Sequence, residues 1–175
     1  MPDEGQKAMF TQWLTEHSSS VIQVARAYTL TQEECQDLAQ EILLQAWRSL
    51  ERFEGLASPA TWFYRVALHT AMKWQRQDLK RRVRQQPWLE IHLHDLAAPA
   101  STEAVEHHEL MDRLYHAIHQ LPKADIALVL LYLDDLSYRE MASVLGISES
   151  NVGVRLSRAK QLLARLLEAD RGGTN

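Results

Sequence analysis

Apolar side chains along most of this chain recur every three or four residues, not in the period of two that a half-buried strand requires. Phe10, Trp13, Leu14, Val21, Val24, Ala25 and Tyr28 fall on one side of a helix expected over roughly residues 6–28. Leu38, Ala39, Ile42, Leu43, Ala46, Trp47 and Leu50 do the same for the next helix and mark its core face. Six glycines and five prolines in 175 residues leave few places where a helix must stop. The pattern predicts an all-α fold, and a 46% share of apolar residues excludes a disordered chain.

Start and stop signals divide the pattern. Thr31 with Glu34 has the spacing of a capping box, in which hydroxyl and carboxylate satisfy amide donors at a helix start. Ser58-Pro59 opens a further helix, serine as N-cap and proline in the first helical position. That helix runs toward Arg84 and loses its apolar pattern as it becomes basic. Residues 85–105, QQPWLEIHLHDLAAPASTEAV, hold two prolines and no helical period, and read as a linker. A helix near 106–120 follows, then another opening at Pro122. The expected organisation is two small helical domains, residues 6–84 and 106–170, joined by a flexible linker longer than most loops in compact domains.

The C-terminal stretch SYREMASVLGISESNVGVRLSRAKQLL carries a helix-turn-helix pattern. Ser137 and Glu140 make a second capping box, and Met141, Ala142 and Leu145 form the buried side of the short helix it starts. Gly146 can take the positive φ that ends a helix without strain. Ile147 plugs the corner, Ser148 caps the next helix, and Val152 and Leu156 pack it onto the first, small Ala142 allowing a close approach. Such a second helix can lie in the DNA major groove. Ser150, Asn151, Val154, Arg155, Ser157, Arg158 and Lys160 are then left for bases and phosphates. Taken alone, the motif is equally compatible with a two-helix corner that has a solvated face.

A net charge of −4 argues on its own against a nucleic-acid partner, but the average conceals blocks. From Glu33 to Glu54 six acids face two bases; from Lys73 to Arg84 six bases face one acid. Residues 103–112 are again acidic and 155–165 again basic. Alternating blocks of this kind suit separate surfaces for separate partners.

Context decides the motif. DLAQEILLQAW followed by LERFEG, then TWFYRVA, then LSYREMASVLGIS, in that order and at those separations, resembles the extracytoplasmic-function sigma factors of bacterial RNA polymerase over about residues 8–168. The resemblance implies a subunit that binds core RNA polymerase, recognises the −10 and −35 elements of promoter DNA and helps melt it. It implies that Asp37, Gln40 and Glu41 dock on the clamp of the polymerase largest subunit. Helical geometry independently puts Asp37, Glu41, Leu44 and Arg48 on one stripe opposite the core, so Leu44 points outward among polar neighbours as an interface anchor would.

The helix after Pro59 resembles the family's −10 region, and its spacing lines up Arg65, His69, Lys73, Arg76 and Lys80 as a ridge suited to a phosphate backbone. Trp62, Phe63 and Tyr64 are candidates to stack on unpaired bases, although a helix start also needs core anchors. The loop Phe53 to Ser58 matches the family's pocket for a flipped base. Arg139 matches a family phosphate contact of the −35 domain. The chain also departs from the pattern. His69 and Lys73 stand where many members have asparagine and then aspartate, and Gly153 and Val154 where a basic residue and serine are frequent.

The resemblance further implies an anti-sigma factor seated between the two domains. A sigma-like adaptor or decoy that binds a regulator without directing transcription is the alternative, with Gly153 and Val154 pointing that way. A dimeric helix-turn-helix repressor would leave the N-terminal half unexplained. His92, His94, His107 and His108 lack cysteine companions and metal-site spacing, so no metal or other cofactor is expected. No phosphate loop, nucleophile elbow or paired carboxylates support an enzyme. No stretch approaches the ~18–20 apolar residues of a membrane span, so no membrane insertion is expected. The acidic N-terminus MPDEGQKAMF is unlike a secretory signal, and the single cysteine, Cys35, rules out an internal disulfide; both suit the cytoplasm.

Overall fold

The computed structural model of the chain describes residues 3–81 and 102–173, with side chains described for 3–77 and 103–173. These residues form seven α-helices: α1 (Glu4–Ala27), α2 (Gln32–Ser49), α3 (Pro59–Arg81), α4 (Thr102–His119), α5 (Lys123–Leu133), α6 (Tyr138–Leu145) and α7 (Glu149–Gly172), with a single 3₁₀ turn at Leu50–Arg52. Among the described residues there is no strand. The linker expected at 85–105 lies largely outside the described residues. Its last four residues belong to a helix instead, since α4 begins at Thr102 rather than near 106. Glu103 in the first turn favours that earlier start, an acid beside the positive end of the helix dipole.

The helix boundaries follow the local chemistry. Thr31 Oγ1 accepts from Glu34 N–H at 3.2 Å, and Glu34 Oε2 accepts from Thr31 N–H at 3.3 Å, the reciprocal arrangement expected for α2. Ser58 Oγ accepts from Thr61 N–H at 3.1 Å at the head of α3. An additional box that the sequence reading passed over starts α1, where Asp3 and Gln6 exchange bonds of 2.7 and 2.9 Å.

Helices α1, α2 and α3 pack together around Val24, Leu38, Ile42, Leu50 and Phe63, each almost wholly buried. A cluster of rings closes one end, Trp13, Phe53 and Trp62 meeting mostly edge to face at 5.0–5.5 Å between centroids. The C-terminal half is aliphatic by contrast. Helix α5 is apolar on every side, burying each residue from Ile126 to Leu131. A helix of that composition can only be central, and α7 packs along it while α6 and α4 complete the group. Each fully buried leucine contributes about 1.5–3 kcal/mol relative to exposure. Arg113 pairs with Asp170 at 2.6 Å, tying α4 to the end of α7.

The halves also pack on each other, α3 against α6 and α1 against α4 and α5, so their buried side chains form one continuous core.

Candidate nucleic-acid interface

The turn between α6 and α7 is built as its residues require. Ser137 Oγ accepts from Glu140 N–H at 3.2 Å and Glu140 Oε2 accepts from Ser137 N–H at 2.7 Å. That backbone hydrogen bond holds the Glu140 carboxyl below the ordinary glutamate range. Gly146 ends α6 at φ 67°, and its N–H donates to Ala142 O at 2.9 Å. Ser148 Oγ then accepts from Asn151 N–H at 3.1 Å and starts α7. Met141, Val152 and Leu156 are fully buried between the two helices, and Ile147 packs partly buried at the corner.

On the outer side of this pair Arg139, Ser150, Asn151, Val154, Ser157 and Arg158 are exposed, as expected. Arg158 has no partner among the described residues. Two other bases of α7 have other occupations. Arg155 is half-buried, and its Nη2 donates to Ala124 O at 3.0 Å and lies 3.5 Å from Asp125 Oδ1, bracing α7 against the start of α5. Lys160 Nζ sits 4.3 Å above the Tyr132 ring and donates to its hydroxyl at 3.2 Å. The ring of Tyr138 lies where it would touch a Cβ on residue 153, at 3.5 Å, so Gly153 sits beneath an aromatic side chain.

The predicted ridge on α3 is partly in place. His69, Lys73 and Arg76 are exposed along one side; the Lys80 side chain falls outside the described residues. Arg65 is placed differently. Its Nε donates to Ser143 O and its Nη2 to Ser143 Oγ, both at 3.0 Å, which ties it to α6. Of the three aromatic candidates, Phe63 and Tyr64 are buried, and only Trp62 keeps partial exposure at the edge of the ring cluster. The preceding loop bends at Gly55, φ 71°, and leaves Leu56 89% exposed. A cleft of about 540 Å³ runs between α2, α3 and α6, with Gln45, Trp62, Arg65, His69, Val144 and Leu145 among its walls.

On α2, Asp37, Leu44 and Arg48 are exposed, while Gln40 and Glu41 are half-buried. Gln45 Nε2 donates to Glu41 Oε1 at 2.8 Å, which fixes that carboxylate on the outer face. Leu44 is 39% exposed amid these polar groups, opposite buried Leu38, Ile42 and Ala46.

Sequence reasoning missed the polar contacts between the halves. Asp134, at the end of α5, accepts from Ser20 Oγ at 3.0 Å and from the Tyr64 hydroxyl. Arg26 pairs with Asp112 and lies 4.4 Å over the Tyr115 ring. Partners 70 to 114 residues apart leave no local signature, whereas a capping box spans four residues.

An exposed helix-turn-helix on one half and a basic, aromatic-flanked helix on the other define a class of DNA-reading transcription proteins, and the comparisons agree. Residues 13–85 match the family model for sigma-70 region 2, and residues 111–163 match that for sigma-70 region 4. The RNA polymerase sigma factor YlaC of Bacillus subtilis is 30% identical over 142 residues, covering 79% of this chain and 80% of that protein. The sigma factor SigV of the same organism is 27% identical over 158 residues, 90% of each chain. The ECF RNA polymerase sigma-E factor of Haemophilus influenzae is 25% identical, covering 94% of this chain and 90% of the relative. The fold is shared with the sigma factor RpoE in complex with the anti-sigma factor NepR from Bartonella quintana, TM-score 0.68 at 20% identity over 92% of this chain and 98% of that one. It is shared also with CnrH in complex with the cytosolic domain of CnrY, TM-score 0.64 at 22% identity over 94% and 90%. The chain belongs to the extracytoplasmic-function sigma factors of RNA polymerase. It is a subunit that directs promoter-specific transcription initiation.

Proposed function

We propose that the N-terminal half, residues 6–84, docks on core polymerase and handles the −10 element, and that the C-terminal half, residues 106–170, reads the −35 element. Docking falls to Asp37, Gln40, Glu41 and Leu44. The observation that carries this reading is a leucine left in water on an otherwise polar helix face, opposite a buried stripe. An exposed apolar side chain ringed by acids and amides has the make-up of an interface anchor. His69, Lys73 and Arg76, with Lys80 and Arg65, provide cations for the phosphates of the −10 region. Arg139 meets a −35 phosphate, and Ser150, Asn151, Val154, Ser157 and Arg158 face the major groove, where Val154 offers only apolar contact, as to a thymine methyl group. Arg155 acts mainly as a brace for that helix.

The chain carries no catalysis of its own in this reading, since polymerase supplies the chemistry. It works in the cytoplasm; among the described residues no helix is long and apolar enough to cross a membrane. An anti-sigma factor is its regulatory partner, as NepR is the partner in the RpoE complex. The decoy reading draws on one feature, the Gly153-Val154 pair in place of polar or basic residues.

Replacement of Asp37, Gln40 and Glu41 together by alanine tests the docking surface. Co-purification with core polymerase is expected to be lost while helicity is kept and stability changes by no more than ~1 kcal/mol, the usual range for surface positions. Wild-type recovery of polymerase by the triple variant would refute the assignment.

A further inference from the structure

Tyr138 is the first residue of α6, and the box of Ser137 and Glu140 fixes it there, the Glu140 carboxylate accepting from Ser137 N–H at 2.7 Å. Its ring does not turn into the core, since the residue is 47% exposed. It leans across to α7 instead, its Cε2 and Cδ2 lying 3.5 and 3.9 Å from where residue 153 would carry a Cβ. Gly153 has none, so the ring takes the place of that side chain. Among the described residues the Tyr138 hydroxyl has no hydrogen-bond partner, so packing rather than a polar tether seats the ring. Around it, α7 is bare. Ser150 and Ser157 stand three residues before and four after Gly153, on the same side of the helix, and Val154 follows it directly. Ser150, Val154 and Ser157 are exposed, and none is longer than valine, so no side chain at these positions screens the ring from whatever lies along the outer side of α7. Asn151 and Arg158 lie on the other flank, roughly 80–100° around the helix from Ser150. The reading face is thus divided into a hydrogen-bonding flank and an apolar one made by Val154 and a ring from the neighbouring helix.

We infer that Tyr138 is a specificity-determining residue of the −35 contact, its ring, seated over Gly153, joining Val154 to take the C5-methyl group of a thymine in the major groove. The inference rests on the sigma-factor reading and deepens it. Thymine is the one base whose major-groove edge carries a methyl group, and the face of a ring beside a valine selects for that feature. A helix-turn-helix sets the N-terminal residues of its second helix against base edges while the first helix crosses the backbone. That placement brings the head of α6 and the first turns of α7 to the same few base pairs. The Gly153-Val154 pair is then no loss of reading power, because the glycine is what admits the ring.

The test uses the full chain bound to core polymerase. This holoenzyme selects its −35 sequence from a randomised duplex pool. Each thymine of the selected element is then replaced by deoxyuridine, which keeps the base pair and removes only the methyl group. Wild-type affinity should fall about three- to fivefold at one thymine, the factor for a single methyl-sized apolar group. Tyr138→Ala should bind the thymine and deoxyuridine duplexes alike. Tyr138→Phe keeps the ring and should keep the methyl dependence. Gly153→Gln fills the seat of the ring with a polar chain and should abolish that dependence with Tyr138 still present. Should Tyr138→Ala unsettle α6, Tyr138→Phe and Gly153→Gln decide the matter. Three results would each overturn the inference: no methyl effect in the wild type, a methyl effect that survives Tyr138→Ala or Gly153→Gln, or its loss in Tyr138→Phe, which would make the contact one of the hydroxyl. Failure of the sigma-factor reading looks different, since holoenzyme would then enrich no common sequence with any variant, and the inference would fall with it.

Discussion

Helices α3 and α7 are the two basic helices of this chain, and each has an arginine hydrogen-bonded to another helix. Arg155 on α7 reaches Ala124 and Asp125 of α5, inside its own half. Arg65 on α3 reaches Ser143 of α6, in the other half. The difference separates two kinds of anchoring. Arg155 braces the recognition helix against a helix of its own half. Arg65 instead ties its helix to the other half. A basic residue on a DNA-facing helix is therefore not automatically a DNA contact, and its role follows from which body holds its partner.

The sharpest test of this contrast sets Arg158 beside Arg155. Arg158, exposed and without an intramolecular partner among the described residues, is placed to read a base edge. Arg158→Ala should cost about 1–3 kcal/mol of −35 discrimination and relax preference at one or two positions, as measured by competition binding of holoenzyme to promoter variants. Arg155→Ala should behave otherwise. It removes a charge-assisted bond to a backbone carbonyl, and partial exposure puts the expected stability loss near the low end of the range for such bonds, about 1.5 kcal/mol by denaturant unfolding. DNA affinity should fall for all sequences alike, with base preference unchanged. Arg65→Ala should leave the denaturant stability of the C-terminal half at wild-type level.

Gly153 offers a smaller and opposite effect. An added Cβ would meet the Tyr138 ring at ordinary van der Waals distance, and the backbone there is helical. Gly153→Ala should then stabilise the protein by about 1 kcal/mol through helix propensity, read as a raised unfolding midpoint. Loss of promoter affinity in the stabilised variant would show that Tyr138 needs the glycine in order to approach DNA. The smallest effect concerns the cap of α6. The Glu140 carboxyl is held low by the Ser137 N–H, so its folded-state pKa lies below its unfolded value. Its stabilisation is present above the ordinary glutamate pKa of ~4.3 and is lost as pH falls from there through the depressed folded value. Glu140→Gln should flatten that part of the acid-stability curve and leave neutral-pH stability nearly intact.

These predictions rest on features of unequal legibility. Thr31 with Glu34, Ser137 with Glu140, Gly146 and Ser148 were readable because each works through atoms within four residues along the chain. The exposed stripe of α2 and the outer side of α7 were readable because a helical period fixes which residues oppose a core. The start of α4 was missed because the signals at 102–105 are weak beside the prolines before them. The partners of Arg65, Arg155 and Asp134 were out of reach for a stronger reason. They depend on how helices cross, and no periodicity within one helix encodes which carbonyl of another lies opposite a given guanidinium. Tyr64 shows the same limit, since an aromatic residue at a helix start reads alike whether its hydroxyl meets water, a base or a carboxylate seventy residues away.

Run-off transcription with purified core RNA polymerase over a library of promoter fragments tests the central claim most directly. Addition of this protein should yield discrete transcripts whose templates share sequence near −35 and −10, and core enzyme alone should yield none of them. Association with polymerase but no specific transcript from any fragment would contradict the account and leave the chain a decoy with a sigma factor's fold.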